Sequence, residues 1–358
     1  MNVNFDKITE RFTALWNREV LDRCCISVIY QDQEKTGEIC AFPEKQEDRE
    51  KYWTDGEMVL NRNLACMEHT YYAGDAFPLV WLNLGPSGHA AFTKGVRWGY
   101  EPSTIWFEPI MEEELEPEKI TLCRESFFYT KTIELAKYFT EESRGRYLVS
   151  MPDLAGNLDA LAHLRGSQDL MMDFVSEEPE VIMECERRIQ KLWEAGVSEA
   201  YEITKAANHG GSCIGWLNTW APGFHSQMQC DLSVMISKEL FDQFEKPELE
   251  RQSSFLEYPL YHFDGIEQIR HLDTLLTIDK IQMIQWTSVV GQPSPIQFIE
   301  EMKRIQDSGK CLLLTLKPNE VEAVVGQLSS KGLFINVTAD SRETADAVVK
   351  IAEKYSRE

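Results

Sequence analysis

The sequence predicts a (β/α)8 barrel, also called a TIM barrel, with one extra helix at its N-terminus. Two observations lead to this α/β fold class. Eight short apolar runs of the length of buried strands recur along the 358 residues, and a segment with helical spacing of apolar residues follows each of them. Strands that alternate with helices form parallel sheets, and eight such units allow the last strand to bond to the first. We see no short repeat, no low-complexity linker and no domain boundary, so we expect residues 1–358 to form a single domain.

The first half of the chain holds the extra helix and three of the eight strands. Five apolar or aromatic residues fall on one helical face near the start: Phe5, Ile8, Phe12, Leu15 and Trp16. The polar stretch 31–57 is expected to be a surface excursion, and the stretch 87–120 is expected to be irregular. The elements predicted for this half are, in order, helix 1–23, strand 24–30, helix 58–72, strand 77–86, helix 121–141, strand 147–154 and helices 156–176 and 179–207.

The second half supplies the other five strands, in regular alternation with helices. A stretch rich in glycine and tryptophan, residues 210–223, precedes them and is predicted to be a loop near the site. The elements predicted after it are strand 228–237, helix 238–253, strand 260–263, helix 266–276, a strand from 281, helix 295–308, strand 311–316, helix 318–329, strand 332–338 and helix 341–356. Because each strand is followed by a helix, all eight strands are predicted to run parallel.

Residues 258–286 contain the clearest strand–helix–strand unit and the best candidate for a functional site. His262 lies in the strand and Asp264 directly after it, so the two side chains point to the same side. They lie at the carboxyl end of a parallel strand, where barrels place their chemistry. The structural alternatives are a buried histidine satisfied by a neighbour and an aspartate that only caps the following helix. A base beside an acid favours proton transfer, so both are candidate catalytic residues.

The charge and composition argue against several classes of partner. The chain has 36 basic and 59 acidic residues and a net charge of −23, which disfavours binding to nucleic acids or anionic membranes. No apolar run approaches eighteen residues, and the first residues lack the profile of a signal peptide. Nine cysteines are scattered without a C-x-x-C pair. We therefore expect a cytoplasmic protein with reduced thiols, and leave open whether it is a monomer or a dimer.

Five segments stand out by their order along the chain: MPDLAGNLD at 151–159, QCDLS at 229–233, YHFDG at 261–265, QW at 285–286 and GLFINVTADSRETADAVVK at 332–350. Together they resemble the uroporphyrinogen decarboxylase superfamily. The resemblance runs over nearly the whole chain and implies a (β/α)8 barrel. The superfamily includes the decarboxylase itself and methyltransferases that work with corrinoid proteins, so the resemblance implies one of these two activities.

The sequence departs from the decarboxylase at residues that would bind its substrate. The decarboxylase carries an arginine-rich signature after its first strand, and the matching stretch here, 23–32, offers only Arg23. An aspartate after its second strand is matched by Asn83. A porphyrinogen with several carboxylates would meet an acidic protein with few cations, so charge complementarity disfavours it. Uroporphyrinogen decarboxylation stays the alternative activity, because carboxylates could protonate a pyrrole intermediate.

The corrinoid-linked methyltransferases of the superfamily bind zinc through a His-x-Cys pair and a distant cysteine near the last strand. The matching pair here is His262 and Asp264, and the last strand offers Asn336 and no cysteine. Histidine and carboxylate can hold Zn²⁺, but a third ligand is needed. Cys230 and Cys213 are the candidates for it, because both are predicted near the barrel mouth. The cofactors that the resemblance implies are Zn²⁺ and a corrinoid carried by a partner protein.

The remaining candidate residues lie at strand ends or in the tryptophan-rich stretch. Asp231 and Glu108 are candidate general acids, since burial would raise the pKa of either carboxyl. The candidate substrate-binding residues are Asn83, Asp153, Trp216, Trp220, Gln285, Trp286 and Asn336. An aromatic and acidic pocket suits a small neutral or cationic methyl donor. We therefore predict a methyltransferase that moves a methyl group between a small donor or acceptor and a corrinoid protein, with a non-catalytic binding protein on the same barrel as a further alternative.

Overall fold

Six parallel strands with a seventh, antiparallel strand at one edge form the central sheet of the computed structural model, which describes residues 3–287, 289 and 291–356. The strands are β1 (Cys25–Gln31), β2 (Thr70–Gly74), β3 (Leu79–Val80), β4 (Trp98–Tyr100), β5 (Ile105–Phe107), β6 (Leu148–Val149), β7 (Ser212–Ile214), β8 (Thr219–Ala221), β9 (His225–Gln229), β10 (Tyr258–Phe263), β11 (Met283–Trp286), β12 (Cys311–Leu316) and β13 (Leu333–Thr338). The α-helices are α1 (Phe5–Trp16), α2 (Gln33–Ile39), α3 (Gln46–Thr54), α4 (Gly56–Glu68), α5 (Phe127–Ser143), α6 (Asn157–Arg165), α7 (Ser167–Ser176), α8 (Pro179–Thr204), α9 (Lys238–Leu240), α10 (Lys246–Phe255), α11 (Leu272–Thr277), α12 (Ile299–Asp307), α13 (Val321–Val325) and α14 (Arg342–Tyr355). No helix in this described part is long and apolar enough to cross a lipid bilayer.

The central sheet has the strand order β2-β1-β13-β12-β11-β10-β9, in which β2 alone runs antiparallel, against β1. β3 and β6 form a separate parallel pair, and a single bridge joins Met151 after β6 to Ile214 in β7. Each of the eight predicted strands has a counterpart, namely β1, β3, β6 and β9–β13. Within the described residues, the backbone ladder of the central sheet ends at β2 on one side and at β9 on the other. The fold is thus mixed α/β around a central parallel sheet.

The strand expected over 228–237 begins earlier than predicted. It is β9, at His225–Gln229, and Asp231–Met235 forms a 3₁₀ turn after it. The side chains of β9 are mostly polar although all are buried, so the apolar pattern that marks the other strands is absent from it.

Residues near the N-terminus hold more structure than predicted. The helix expected over 58–72 ends at Glu68, and β2 instead pairs with the edge of β1 that no parallel strand covers. The surface excursion expected over 31–57 contains α2 and α3, and the stretch 87–120 contains the hairpin of β4 and β5. Strand β2 contains one threonine and two tyrosines, residues that are common in strands, and it pairs with the exposed edge of β1.

Helix α1, the predicted extra helix, packs against the face of the sheet that we call the inner face. Leu260, Met283 and Phe334 point from the strands to this face and lie in one apolar cluster with α1. Phe12 of α1 stands edge-on to Phe334 and to Phe77, with ring centroids 5.1 and 5.9 Å apart. Burial of each such ring stabilises the fold by roughly 1.5–3 kcal/mol. This cluster fills the amino-terminal end of the inner face, so the carboxyl end is left for polar chemistry.

The hairpin of β7 and β8 also enters the inner face. Its turn, residues 215–218, bonds to two strands of the central sheet. Asn218 Oδ1 accepts a hydrogen bond from Ser27 Oγ of β1 at 2.6 Å, and the carbonyl oxygen of Leu217 accepts one from Asn336 Nδ2 of β13 at 2.6 Å. The turn therefore forms a floor between the apolar cluster and the carboxyl ends of the strands.

Close packing explains why the hairpin turn contains glycine. A Cβ on Gly215 would lie 2.4 Å from a carbon of the Trp81 ring. Any other residue at this position would therefore have to displace the ring or the turn itself. The next residue, Trp216, reaches towards β10. Residues 210–223 were expected to form a loop at the mouth, but they form this internal hairpin, because their apolar members pack on α1.

Candidate active site

Strand β11 holds His262 in one orientation. His262 of β10 lies opposite Gln285, and its Nδ1 atom is 2.5 Å from Gln285 Oε1. The Gln285 amide is itself fixed, because its Nε2 donates to Thr287 Oγ1 at 2.9 Å. An amide oxygen only accepts hydrogen bonds, so Nδ1 carries the proton and Nε2 presents a lone pair.

Two carboxyl groups and an indole lie around the His262 ring. Asp231 Oδ1 is 3.6 Å and Asp264 Oδ1 is 3.9 Å from His262 Nε2. The Trp216 ring is nearly perpendicular to the imidazole, with centroids 4.9 Å apart. Burial lowers the pKa of His262, against the opposing effects of the Gln285 hydrogen bond and the Asp264 charge. The imidazole is therefore neutral near pH 7, and the distances from Nε2 leave room for a bridging atom of a ligand.

Asp159, in the first turn of α6, fixes the turn that carries Asp231. Its carboxylate oxygens accept from the backbone N–H of Asp231 at 3.0 Å and of Leu232 at 2.9 Å. The start of α6 approaches β9 closely, since a Cβ on Gly156 would lie 1.9 Å from the carbonyl oxygen of Gln229. This approach brings a carboxylate against the carboxyl end of β9.

Asp231 holds its proton more tightly than an isolated carboxyl. Burial raises the pKa of Asp231 to about 8, and the charges of Asp159, Asp264 and Asp153 add to the shift in that order. Its side chain is 49% exposed, so solvent screens part of the effect of these neighbours. A protonated fraction of Asp231 thus persists at neutral pH beside the lone pair of His262, which places an acid next to a base.

Asp153 is a second carboxyl with an elevated pKa. Burial raises the pKa of Asp153 to about 7, and a hydrogen bond from Gln227 Nε2 to its Oδ1, 2.7 Å long, opposes the shift. The Oε1 atom of Gln227 is buried without a hydrogen-bond partner among the described residues, as are Trp81 Nε1, Trp216 Nε1 and Asn336 Oδ1. Buried polar atoms without partners are rare in proteins, so these four are available to a ligand or to ordered water.

Two cavities lie in the same part of the protein, and neither is lined by His262, Asp231 or Asp264. One, of about 480 Å³, is at the carboxyl ends of β12 and β13 and includes Gln292, whose Oε1 accepts from Ile266 N just after Asp264. The other, of about 360 Å³, is lined in part by Trp81 and Asn83. The structure thus places Asn83 at the second cavity and not against His262.

Two of the predicted tryptophans lie outside the His262 group, which consists of His262 and the residues around it: Asp153, Asp159, Trp216, Gln227, Asp231, Asp264, Gln285 and Thr287. Trp286 is buried among the outer helices and stacks on Phe263, with ring centroids 4.9 Å apart. Side chains alternate along a strand, so Trp286 faces away from the side that Gln285 shares with His262. Trp220 belongs to the apolar cluster with α1, and its Nε1 donates to the Asn208 carbonyl oxygen at 3.0 Å. Both are core residues and not walls of the site.

Glu108 and Asn336 hold other parts of the fold in place. Glu108 follows β5 and forms an ion pair with Arg97 at the same hairpin, away from the His262 group. Its carboxylate is therefore matched by a cation and does not meet the requirement for a buried acid. Asn336 lies on the inner face of β13, where its amide nitrogen bonds to the hairpin turn and its Oδ1 stays open to a ligand.

The two cysteines expected to complete a zinc site face away from His262. Cys230 is buried on the outer side, where it bonds to Glu245, because it follows β9 by one residue and alternation turns it outward. Cys213 lies in the apolar cluster with α1, and its Sγ donates to the Val149 carbonyl oxygen at 3.4 Å. Burial raises the pKa of both thiols and disfavours the thiolates that zinc binds. Across residues 3–287, 289 and 291–356, no three or more His, Cys, Asp or Glu side chains are placed to hold a metal ion, so these residues do not fit the predicted Zn²⁺.

The prediction missed three residues of the His262 group: Asp159, Gln227 and Thr287. The sequence did contain an indication of Asp159. A helix that follows a parallel strand begins at the carboxyl end of the sheet, so an acidic residue in its first turn lies there as well. Gln227 was hidden because β9 was placed too late. Thr287 follows the recognised QW segment directly, and only the register of β10 and β11 reveals its contact with the site.

The comparisons with known proteins give a likeness of fold and none of sequence. No protein-family model matches the chain, and no curated protein matches it in sequence. Among solved structures, the chain is similar to a methyltransferase from Methanosarcina mazei, with a TM-score of 0.63 over 97% of this chain and 98% of that chain. The two sequences are 11% identical, so the likeness establishes a shared fold.

Proposed function

We propose that the chain is a methyltransferase that moves a methyl group between a small donor or acceptor and a corrinoid carried by a partner protein. The observation that carries the proposal is the pairing of the Asp231 carboxyl with His262. Asp231 Oδ1 lies 3.6 Å from His262 Nε2, and its raised pKa lets the carboxyl keep a proton near neutral pH while the imidazole is uncharged. The shared fold with a methyltransferase supports it. We also infer that the eight parallel strands wrap into a (β/α)8 barrel, because the last strand, β13, pairs in parallel with the first, β1, and Asn218 bonds both to Ser27 of β1 and to the carbonyl oxygen of Phe77 just before β3.

Proton donation is the chemistry that these residues supply. A methyl group on oxygen or nitrogen is transferred only when its leaving atom can take up the electron pair of the broken bond. Asp231 would give its proton to that atom, and the lone pair of His262 Nε2 would accept a hydrogen bond from the protonated leaving group. A corrinoid on the partner would supply the nucleophile that takes the methyl group. No step requires Zn²⁺.

The charge of the site favours a cationic or neutral donor. Four carboxyl groups, those of Asp153, Asp159, Asp231 and Asp264, lie around His262. No lysine or arginine in the described part of the chain forms an ion pair with any of them. A neutral donor that becomes positively charged when Asp231 protonates its leaving atom would be stabilised by the nearby Asp159 and Asp264 and by the face of an indole such as Trp216.

The alternative decarboxylase function is weakened by the position of Arg23. Its guanidinium is buried and bonds to Asp75 Oδ2 at 2.6 Å, so it is not free to bind a substrate carboxylate. A porphyrinogen would therefore meet four acidic groups without a compensating arginine. The non-catalytic alternative has no feature of the site in its favour, because a binding role does not require a protonated carboxyl.

A donor panel tests the proposal. The protein would be mixed with a reduced corrinoid protein and, in turn, with methylamines and methoxyaromatics, while the absorbance of the corrinoid is followed. The expected result is methylation of cobalt by one class of donor. A parallel assay with uroporphyrinogen should show no loss of carbon dioxide. Decarboxylation without methyl transfer would contradict the proposal, and binding of donors without either reaction would favour the non-catalytic alternative.

A further inference from the structure

Two cysteines far from the proposed active site lie unusually close together. Cys40 directly follows α2 as its C-cap residue, Cys66 lies in the last turn of α4, and their sulfur atoms are 2.9 Å apart. A disulfide bond is about 2.05 Å long, so the two sulfurs need to move by less than an ångström to be joined.

Exposure sets this pair apart from the other cysteines. Cys40 is exposed and Cys66 is half-buried, whereas the other seven are buried: Cys24, Cys25, Cys123, Cys185, Cys213, Cys230 and Cys311. A soluble oxidant therefore meets Cys40 first. Cysteines that are oxidised reversibly are accessible to solvent and often lie beside a second cysteine that can form the disulfide.

We propose that Cys40 and Cys66 form a reversible disulfide, made by exchange with a low-molecular-weight disulfide such as oxidised glutathione. The Cys40 thiolate attacks one sulfur of the oxidant and forms a mixed disulfide with it, while the S–S bond of the oxidant breaks and its other half leaves as a thiolate that takes up a proton. The Cys66 sulfur then attacks Cys40, and the second thiol leaves. Two protein thiols are oxidised and one glutathione disulfide is reduced to two glutathione molecules, so the electrons balance.

The second step should be the slower one. Burial raises the pKa of Cys66 and Arg62 opposes the shift, and both influences remain when Cys40 is in the mixed disulfide. Only the thiolate attacks a disulfide, so closure should accelerate as the pH rises.

The disulfide would stiffen one wall of the cavity of about 360 Å³. The Cys40 carbonyl oxygen accepts from the Tyr52 hydroxyl at 3.0 Å. Arg62 of α4 lies over the Tyr52 ring, 3.7 Å from its centroid, and donates to the Tyr52 carbonyl oxygen at 3.0 Å. Tyr52 and Arg62 both line the cavity, together with Trp81 and Asn83. Joining α2 to α4 thus restrains α3, which carries Tyr52, from both sides.

Oxidation with thiol mapping tests the bond. The full chain is incubated with oxidised glutathione at several ratios to the reduced form, free thiols are blocked with N-ethylmaleimide, and peptides are analysed by mass spectrometry. We expect a peptide that links Cys40 to Cys66, lost on addition of dithiothreitol. Cys40→Ser and Cys66→Ser should abolish it, and Cys123→Ser, a change at a buried cysteine, should not. Two alkylated thiols, or a mixed disulfide that stays on Cys40, would overturn the proposal.

Hydrogen exchange tests the structural effect. In the oxidised wild type, amides of residues 41–54 should exchange at least several-fold more slowly than in the reduced protein, while Cys66→Ser shows no such difference. If the disulfide forms and these amides still exchange at the same rate in the oxidised and the reduced wild type, the stiffening of α3 is refuted. Neither measurement involves methyl transfer, so the outcome is independent of the proposed function.

Discussion

The rings of Trp216 and His262 stand perpendicular to each other, with centroids 4.9 Å apart. The contact arises because the hairpin of β7 and β8 enters the inner face and carries Trp216 to the middle of the carboxyl ends. The indole packs against the imidazole, while Gln285 holds its Nδ1 atom. It therefore acts as a positioning residue for the base of the site.

Replacing Trp216 should impair activity more than stability. In Trp216→Phe the edge contact with His262 is weakened, and aromatic pairs of this kind contribute about 0.5–1.5 kcal/mol. We expect kcat/KM to fall up to about tenfold while the thermal midpoint changes little. The measurement is steady-state kinetics beside thermal unfolding of the same preparation.

Trp286→Phe is the matched control for that variant. Trp286 packs between Phe263 and Phe298 in the core. Replacing its indole with the smaller phenyl ring should therefore lower the stability of the protein and leave kcat/KM within about twofold of wild type. A loss of activity in Trp286→Phe as large as in Trp216→Phe would show that Trp286 does contact substrate.

Gln285 should control the tautomer and the pKa of His262. In Gln285→Glu a carboxylate would replace the amide oxygen 2.5 Å from Nδ1, and an adjacent negative charge favours the imidazolium. The pKa of His262 should therefore rise above its wild-type value. Titration of ¹⁵N-labelled histidine by NMR reads it directly, and an unchanged titration would mean that the hydrogen bond to Nδ1 is not formed.

Asp153 should make the protein less stable as the pH rises. The pKa of Asp153 is about 7 in the fold against 3.8 for the free side chain, so the folded state binds the extra proton between these values. The stabilisation that protonated Asp153 gives to the folded state is fully present below about pH 4 and is lost as the pH rises through 7. In Asp153→Asn the side chain no longer titrates, and its amide oxygen can still accept the hydrogen bond from Gln227. Urea midpoints at pH 5 and pH 8 should therefore differ less for Asp153→Asn than for wild type, and equal differences would contradict the assignment.

Local sequence patterns were sufficient where the strand cores are apolar. β10 to β13 were found because runs such as Cys311–Leu316 are apolar, and the relation of His262 to Asp264 followed from alternation. β9 was displaced because His225 and Gln227 face the interior of the protein. A polar residue inside a sheet looks like a loop residue until its partners are known.

The hairpin at 212–221 shows what local patterns do not contain. Glycine and tryptophan indicated a loop, yet the segment is determined by distant contacts, such as that from Trp16 Nε1 to the Trp220 carbonyl oxygen at 2.9 Å. Trp220 and Cys213 were placed at the mouth for this reason. The carboxylate of Asp159 was overlooked because its target, the backbone of Asp231, lies 72 residues away.

The central claim is that the proton of Asp231 drives methyl transfer, and one measurement tests it most directly. Methylation of a reduced corrinoid protein is followed by absorbance at several pH values with wild type, Asp231→Asn and, as a control, Asp346→Asn, which changes a surface carboxyl bonded to Tyr71. The wild-type and control rates should fall as the pH rises through about 8, the pKa of Asp231, and Asp231→Asn should be about 100-fold slower without that fall. Methylation by Asp231→Asn at the wild-type rate, or no methylation by wild type with any donor, would contradict the account.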